Sequence, residues 1–270
     1  RSKITGGPTE KIFEERVLNK YNVSYFRCVE TGFVQTEEPY WLPEAYSAAI
    51  TQLDLGLLHR NQELRDQIGR LLARHFSKGG SYLDYGGGYG VFTRLMRDRG
   101  FNFFHQDPMC QNLFAAFFDA SHLPQGSRFE LVTAIEVAEH LTQPVTELGA
   151  LLQYADSVLF TTELQPTDPA AVRNWWYMAY EHGQHIALYT AASLQHMARQ
   201  WNCNYYSNGQ SVHLITRRSF TSNPLDALQA PLLLRKLKKL CAKLEQRIYG
   251  FPEGKLEADW QLVLQSLQQS

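Results

Sequence analysis

The segment IEVAEHL carries Glu136, Glu139 and His140, and the segment EHGQH carries Glu181, His182 and His185. Carboxylates and imidazoles at this density can take a proton from a weak oxygen nucleophile or hold a divalent cation. Glu136 to His140 follow the apolar run FELVTAI, which puts them at a strand end and in the turn after it. In an open α/β sheet, ligands gather beyond the carboxyl ends of the strands. With EHGQH after a later strand, two carboxylates and up to three imidazoles converge at one edge. A plainer arrangement, in which neighbours satisfy each of these side chains, uses the same residues and stays open.

A second group lies upstream. SYLDYGGGYGVFTRLM reads as a short strand, a glycine-rich turn and a helix start. A dinucleotide turn, GxGxxG, needs glycine where Val91 stands. The pattern present is Asp84-x-Gly86-x-Gly88-x-Gly90. Small residues let the backbone come close to a ligand, and a carboxylate at the strand end can hold an ammonium directly or through water. Both features suit S-adenosyl-L-methionine (SAM), whose methionine part carries an ammonium and a carboxylate. Asp107, at the end of the next strand, can accept hydrogen bonds from both ribose hydroxyls. Pro108 and Met109 follow it, Asp119 is a candidate adenine contact, and Glu136 completes the cofactor set. The bland alternative is a tight turn with a capping aspartate.

The elements that must position these residues follow from periodicity and punctuation. QELRDQIGRLLARHF has helical apolar spacing, and the helix after the glycine turn runs from Val91 to Arg99 and stops at Gly100. FNFFHQD, Phe129 to Glu136, Ser157 to Thr162 and SVHLITRR read as strands, with a third strand placed weakly at Ala115 to Phe118. TAASLQHMARQW reads as a helix capped by Thr190. The chain divides into an N-terminal aromatic hairpin or cap segment (1–60), an α/β domain (61–218) and a C-terminal helical extension (219–270).

LDYGGGYG, QDPM and FELVTAIEVAEHL resemble, in order and spacing, the motifs of class I SAM-dependent methyltransferases. WWYMAYEHGQHIALYT is similar to a segment of those that serve polysaccharide and deoxysugar biosynthesis. The resemblance covers about residues 61–218. It implies an α/β, Rossmann-like fold: a seven-stranded, mostly parallel sheet with one antiparallel strand and helices on both faces. It also implies O-methylation of a sugar, a glycan or another small hydroxyl-bearing acceptor. Sugar C-methylation is the rival within enzymes, and a non-catalytic SAM-binding module of a larger glycan-assembly protein is the rival outside them. His182 is the expected base, with Glu139 and His140 beside it. E-x-x-E-H also resembles a metal site of other O-methyltransferases, which implies Glu136, Glu139, His140 and His182 as ligands of a divalent metal, Mg²⁺ or Mn²⁺. Some sugar-modifying relatives carry an N-terminal zinc module with CxxCG pairs. Here CVETG keeps Cys28 but has Thr31 at the second position, so a complete thiolate set is absent.

Trp175, Trp176, Tyr177 and Tyr180 precede EHGQH and offer faces on which sugar rings can pack, with Tyr25, Phe26, Phe33, Tyr40 and Trp41 as a weaker opposite wall. Arg60 and Asn61 are further cleft candidates. The tail LLLRKLKKLCAKLEQRIYG places Leu233, Leu237, Leu240 and Leu244 on one face among Arg235, Lys236, Lys238, Lys239, Lys243 and Arg247. Such a helix fits a peripheral membrane contact, a second subunit or packing on its own domain. A second helix from Lys255 to Leu267 follows GFPEG. The net charge of −1 gives no reason to expect a nucleic-acid partner. No apolar run is long enough to span a membrane. Four scattered cysteines without a CxxC pair point to a cytoplasmic protein. The opening RSKITGG, lacking Met and an apolar core, fits a trimmed chain or a domain of a larger polypeptide.

Overall fold

The computed structural model describes residues 1–46, 54–250 and 255–269. The 251–254 part of GFPEG and the side chains of Arg235 and Lys238 lie outside the described residues. The N-terminal segment forms a long antiparallel hairpin of β1 (Thr9–Val17) and β2 (Tyr21–Cys28), followed by β3 (Val34–Thr36) and the single helical turn α1 (Leu42–Ala45). The central region then alternates helix and strand: α2 (Leu57–His75), β4 (Ser81–Tyr85), α3 (Val91–Asp98), β5 (Asn102–Gln106), β6 (Leu131–Ala134), α4 (Pro144–Ala150) and β7 (Ser157–Thr161). Next come β8 (Ala187–Leu188), α5 (Ala191–Gln200), β9 (Asn204–Ser207) and β10 (Val212–Thr216), then α6 (Leu232–Tyr249) and α7 (Leu256–Gln269).

Two sheets result. The larger has the order β5-β4-β6-β7-β10-β9, in which β10 alone runs antiparallel to its two neighbours. Every residue of β6, β7 and β10 is buried, as expected of strands covered on both faces. Leu64, Ile68, Leu71 and Leu72 of α2 pack with Phe92 and Met96 of α3 on one face. Leu148, Leu194, Met197 and Ala198 of α4 and α5 cover the other. This is a Rossmann-like α/β architecture with helices on both faces of a mostly parallel sheet. Thr190 caps α5 by a reciprocal pair of hydrogen bonds with Ser193, and Gly100, at φ 94, ends α3 as its sequence position implies.

The seventh strand is reduced to a single parallel bridge between His105 and Asp119 at the outer edge of β5. No strand forms at Ala115–Phe118, because Phe117 sits in the left-handed region at φ 70 and turns the chain out of extended pairing.

The smaller sheet has the order β1-β2-β3-β8. Its last strand comes from the far side of the chain: Val34 pairs with Leu188 and Gln35 with Ala187. The segment carrying His182 and His185 is thereby fixed to the N-terminal sheet. Cys28, Cys110, Cys203 and Cys241 are free thiols. Among the described residues no helix is long and apolar enough to cross a membrane. Along α6, Leu233, Leu237, Leu240 and Leu244 are exposed.

Candidate active site

β4 and β6 are neighbours, yet β5 lies on the other side of β4, so strand order reverses between them and the chain leaves a crevice at their carboxyl ends. A cleft of about 600 Å³ opens there. Its walls include Gly86, Gly87 and Gly88 after β4, Asp107, Pro108 and Met109 after β5, and Glu136 and His140 after β6. His182 and His185 reach it from the loop before β8.

The glycine turn is shaped for a ligand backbone. Gly86 and Gly88 hold φ values of 67 and 56, a region that strains other residues. A Cβ on Gly86 would lie 2.6 Å from Val137, and one on Gly87 would lie 2.7 Å from the Asp84 carboxylate. Gly90 does not line the cleft; at φ 84 it starts α3, packed against Asn112. Asp84 is buried behind the turn, where Thr93 and Thr133 donate hydroxyl hydrogen bonds of 2.8 and 3.0 Å to its two oxygens. Burial pushes its carboxyl up to about 6, against the opposing pull of those two hydroxyls. A ligand ammonium at the cleft would restore the charged form. Asp107 accepts from the Gly88 N–H through one oxygen and from the Met109 and Cys110 N–H groups through the other. Ribose hydroxyls would share an acceptor that the backbone already orients. The cradle therefore fits SAM.

Asp119 is not a wall of the cleft. Its Oδ1 accepts from Asn112 Nδ2 and lies 3.2 Å from His105 Nδ1, while His105 Nε2 lies 2.8 Å from the Gly88 carbonyl oxygen. Asp119 thus bears on the glycine turn through His105. Sequence reasoning missed His105, which in the pattern FNFFHQD looks like one more buried strand residue, and missed Gly87.

The acidic and histidine residues do meet, but in a different set from the one expected. Glu136 takes the left-handed conformation at φ 52. Its N–H donates to Thr161 Oγ1, which donates in turn to Glu136 Oε1 at 2.6 Å, and the Tyr177 hydroxyl donates to Oε2 at 3.3 Å. A non-glycine residue persists in this conformation only when its surroundings fix it, as these bonds do. Glu139 is fully buried in the 3₁₀ turn Ala138–His140, and neither carboxylate oxygen has a hydrogen-bond partner. The Tyr177 hydroxyl is turned to Glu136, and the Thr162 hydroxyl lies 3.5 Å from that of Tyr177. Burial, and then the Glu136 charge, hold the Glu139 carboxyl well above its usual range.

The Nδ1 atoms of His140 and His185 lie 3.0 Å from the Gln184 carbonyl oxygen and 2.6 Å from that of Tyr177. A carbonyl only accepts, so each ring places its N–H on Nδ1 and leaves Nε2 with a lone pair. His182 is the reverse: its Nδ1 accepts from the Gln184 N–H at 3.1 Å, so the neutral ring carries its proton on Nε2. Burial holds His140 and His182 down at about 4, and His185 well below its usual value. His182 therefore offers a donor, not the lone pair that a base or a metal ligand needs. Among the described residues Glu139, His140 and His185 bring one ligand atom each within 4.8 Å of one another. Glu136 and His182, expected beside them from E-x-x-E-H, stand outside that group.

The aromatic segment divides. Trp176 and Tyr177 line the cleft, with the Trp176 side chain 74% exposed. Trp175 packs on Tyr177, and Tyr180 meets Tyr25 edge-on. Tyr25, Phe33 and Trp41 are buried core rather than an opposite wall, and neither Phe26 nor Tyr40 borders the cleft. Trp41 instead donates its indole N–H to the Gly183 carbonyl and steadies the histidine loop. The N-terminal segment reaches the cleft through Leu42 and Tyr46, and α7 does so through Trp260. Arg60 and Asn61 line it too, Arg60 forming a paired contact with Asp54.

The chain is similar to parts of several solved methyltransferase structures. CalO1, a methyltransferase in calicheamicin biosynthesis in its SAH-bound form, is 16% identical, with a TM-score of 0.41 over 57% of this chain and 54% of its own. The chain thus spans about half the length of that relative. The plantazolicin methyltransferase BpumL, in complex with a monoazolic desmethylPZN analog and SAH, is 10% identical, with a TM-score of 0.50 over 74% of this chain and 87% of its own. The magnesium protoporphyrin IX methyltransferase ChlM from Synechocystis PCC 6803, with bound SAH, is 12% identical, with a TM-score of 0.45 over 66% and 95%. No curated protein matches the chain. Residues 57–208, more than half of the chain, match a family model described as a methyltransferase domain. The chain therefore belongs to the methyltransferase domain family, and the matched residues include the glycine cradle.

Proposed function

We propose that this enzyme transfers the methyl group of SAM to a hydroxyl oxygen of a sugar, a glycan or a similar small acceptor. The observation that carries the reading is that the glycine cradle and the Glu/His set open into one cleft. The sulfonium is an activated donor, so alignment of acceptor oxygen, methyl and sulfur supplies much of the rate. The exposed face of Trp176 provides an apolar platform for a sugar ring at the cleft wall.

Two of this chain's side chains divide the acceptor chemistry. Glu136, oriented by Thr161 and Tyr177, takes the hydroxyl proton. His182, with its proton on Nε2, donates to an acceptor oxygen and positions it. As the O–CH₃ bond forms, the C–S bond breaks and its electron pair stays on sulfur, leaving S-adenosylhomocysteine (SAH).

The test is transfer of an isotopically labelled methyl from SAM to a panel of sugars and small alcohols, with the product's methyl located by NMR. A label in O–CH₃ is the expected result. A label on carbon, or no transfer from an enzyme that binds SAH, overturns O-methylation.

A further inference from the structure

We propose that Glu139, His140 and His185 bind a divalent transition-metal ion, which in turn receives the acceptor's hydroxyl oxygen. The role of the ion rests on the methyl-transfer reading above; its binding does not.

Three independent features converge. Glu139 has no exposed surface, and both of its oxygens lack a hydrogen-bond partner. A buried carboxylate in that state is among the costliest arrangements a fold can carry, and a cation is the partner that removes the cost. Next, His140 and His185 are each fixed by a backbone carbonyl at Nδ1, those of Gln184 and Tyr177. This is the support that metal-ligating histidines need, since it orients the ring and keeps Nε2 bare. Finally, the three ligand atoms lie within 4.8 Å of one another. Bonds of roughly 2.0–2.2 Å to one ion would draw them together by only a modest side-chain shift. His140 and His185 border the cleft while Glu139 lies behind it, so the open coordination positions face the acceptor.

The donor set also selects the ion. Mg²⁺ and Ca²⁺ favour oxygen ligands, whereas two imidazoles with one carboxylate suit Zn²⁺, Mn²⁺, Fe²⁺ or Co²⁺. Three protein ligands with free positions are the arrangement of a reactive site rather than a closed structural one. As a Lewis acid the ion would lower the pKa of the bound hydroxyl with no change of its own oxidation state. The proton still passes to Glu136, the oxygen takes the methyl carbon, and sulfur keeps the bonding pair.

The experiment uses the full chain, stripped with a chelator and titrated by calorimetry with Zn²⁺ and with Mn²⁺. SAH binding is measured separately on the stripped protein. One equivalent of metal per chain is expected, with His185→Ala and His140→Ala weakening it by about 10–100-fold and His182→Ala leaving it in place. Loading Co²⁺ on the unaltered chain gives a second readout, a visible spectrum of nitrogen and oxygen coordination, independent of whether the variants fold. Absence of stoichiometric metal, or equal binding by His185→Ala, overturns the site while SAH binding leaves the methyltransferase reading standing. Loss of SAH binding with metal retained would strike the other reading alone.

Discussion

His105 Nε2 lies 2.8 Å from the carbonyl oxygen of Gly88, so a side chain of β5 props the glycine turn of β4 from behind. Asp119 holds the other ring nitrogen, and Asn112 holds Asp119. His105→Ala should loosen the turn and raise the Kd of SAH about tenfold, or about 1.4 kcal/mol. Calorimetry checks this, and an unchanged Kd would show that the turn keeps its shape unaided.

Gly87 is as constrained as the glycines of the sequence pattern. A methyl there would meet Asp84 Oδ2 at 2.7 Å and His105 Cδ2 at 2.8 Å, two groups that are themselves locked by hydrogen bonds. Gly87→Ala should therefore distort the cradle, lowering SAH affinity by at least tenfold and stability by about 1–3 kcal/mol. Titration of SAH and a urea melt measure the two effects; wild-type values in both would remove the steric argument.

Asp84 gives a pH signature with a definite sign. Its carboxyl is at about 6 in the folded chain against 3.8 for the unperturbed group, chiefly through burial. A raised acid favours the folded state while protonated, so its contribution is full below about pH 4 and lost as pH rises through 6. The ligand-free protein should lose up to about 3 kcal/mol from this group across that window, an upper bound for one residue. Asp84→Asn should flatten that part of the profile and weaken SAH binding at neutral pH. Urea unfolding at closely spaced pH values is the measurement, and an unaltered slope in Asp84→Asn would count against the assignment.

Trp176 is exposed at the cleft and so can change without disturbing the core. Trp176→Ala should leave stability within about 0.5 kcal/mol and SAH affinity unchanged. With a sugar acceptor it should raise KM several-fold. A loss confined to kcat would place Trp176 elsewhere in the cycle.

Local signals made much of the SAM half legible. The strand, turn and helix from Ser81 to Asp98 lie in one continuous stretch, and Thr190 announces α5 through its own cap. Information that depends on distant partners was not legible. β8 is two residues long and exists because Val34 and Gln35 lie beside it. β1 has partly exposed residues through most of its length and shows no clean alternation. His182 and His185 look equivalent in EHGQH; only the Gln184 N–H on one ring and the Tyr177 carbonyl on the other separate a proton donor from a bare nitrogen. Asp119 falls at a plausible contact position, yet its neighbour across the edge is His105 rather than open cleft.

The pairing of β3 with β8 has a wider consequence. The wall that grips the cofactor is built on the large sheet, whereas the loop bearing His182 and His185 is stitched to the N-terminal hairpin and to Trp41. The acceptor side of the proposed reaction thus draws on both pieces, Glu136 and His140 following β6 and His182 and His185 standing on the hairpin-bound loop. A change in the hairpin would reach His182 and His185 through β8 and Trp41 without touching the glycine turn.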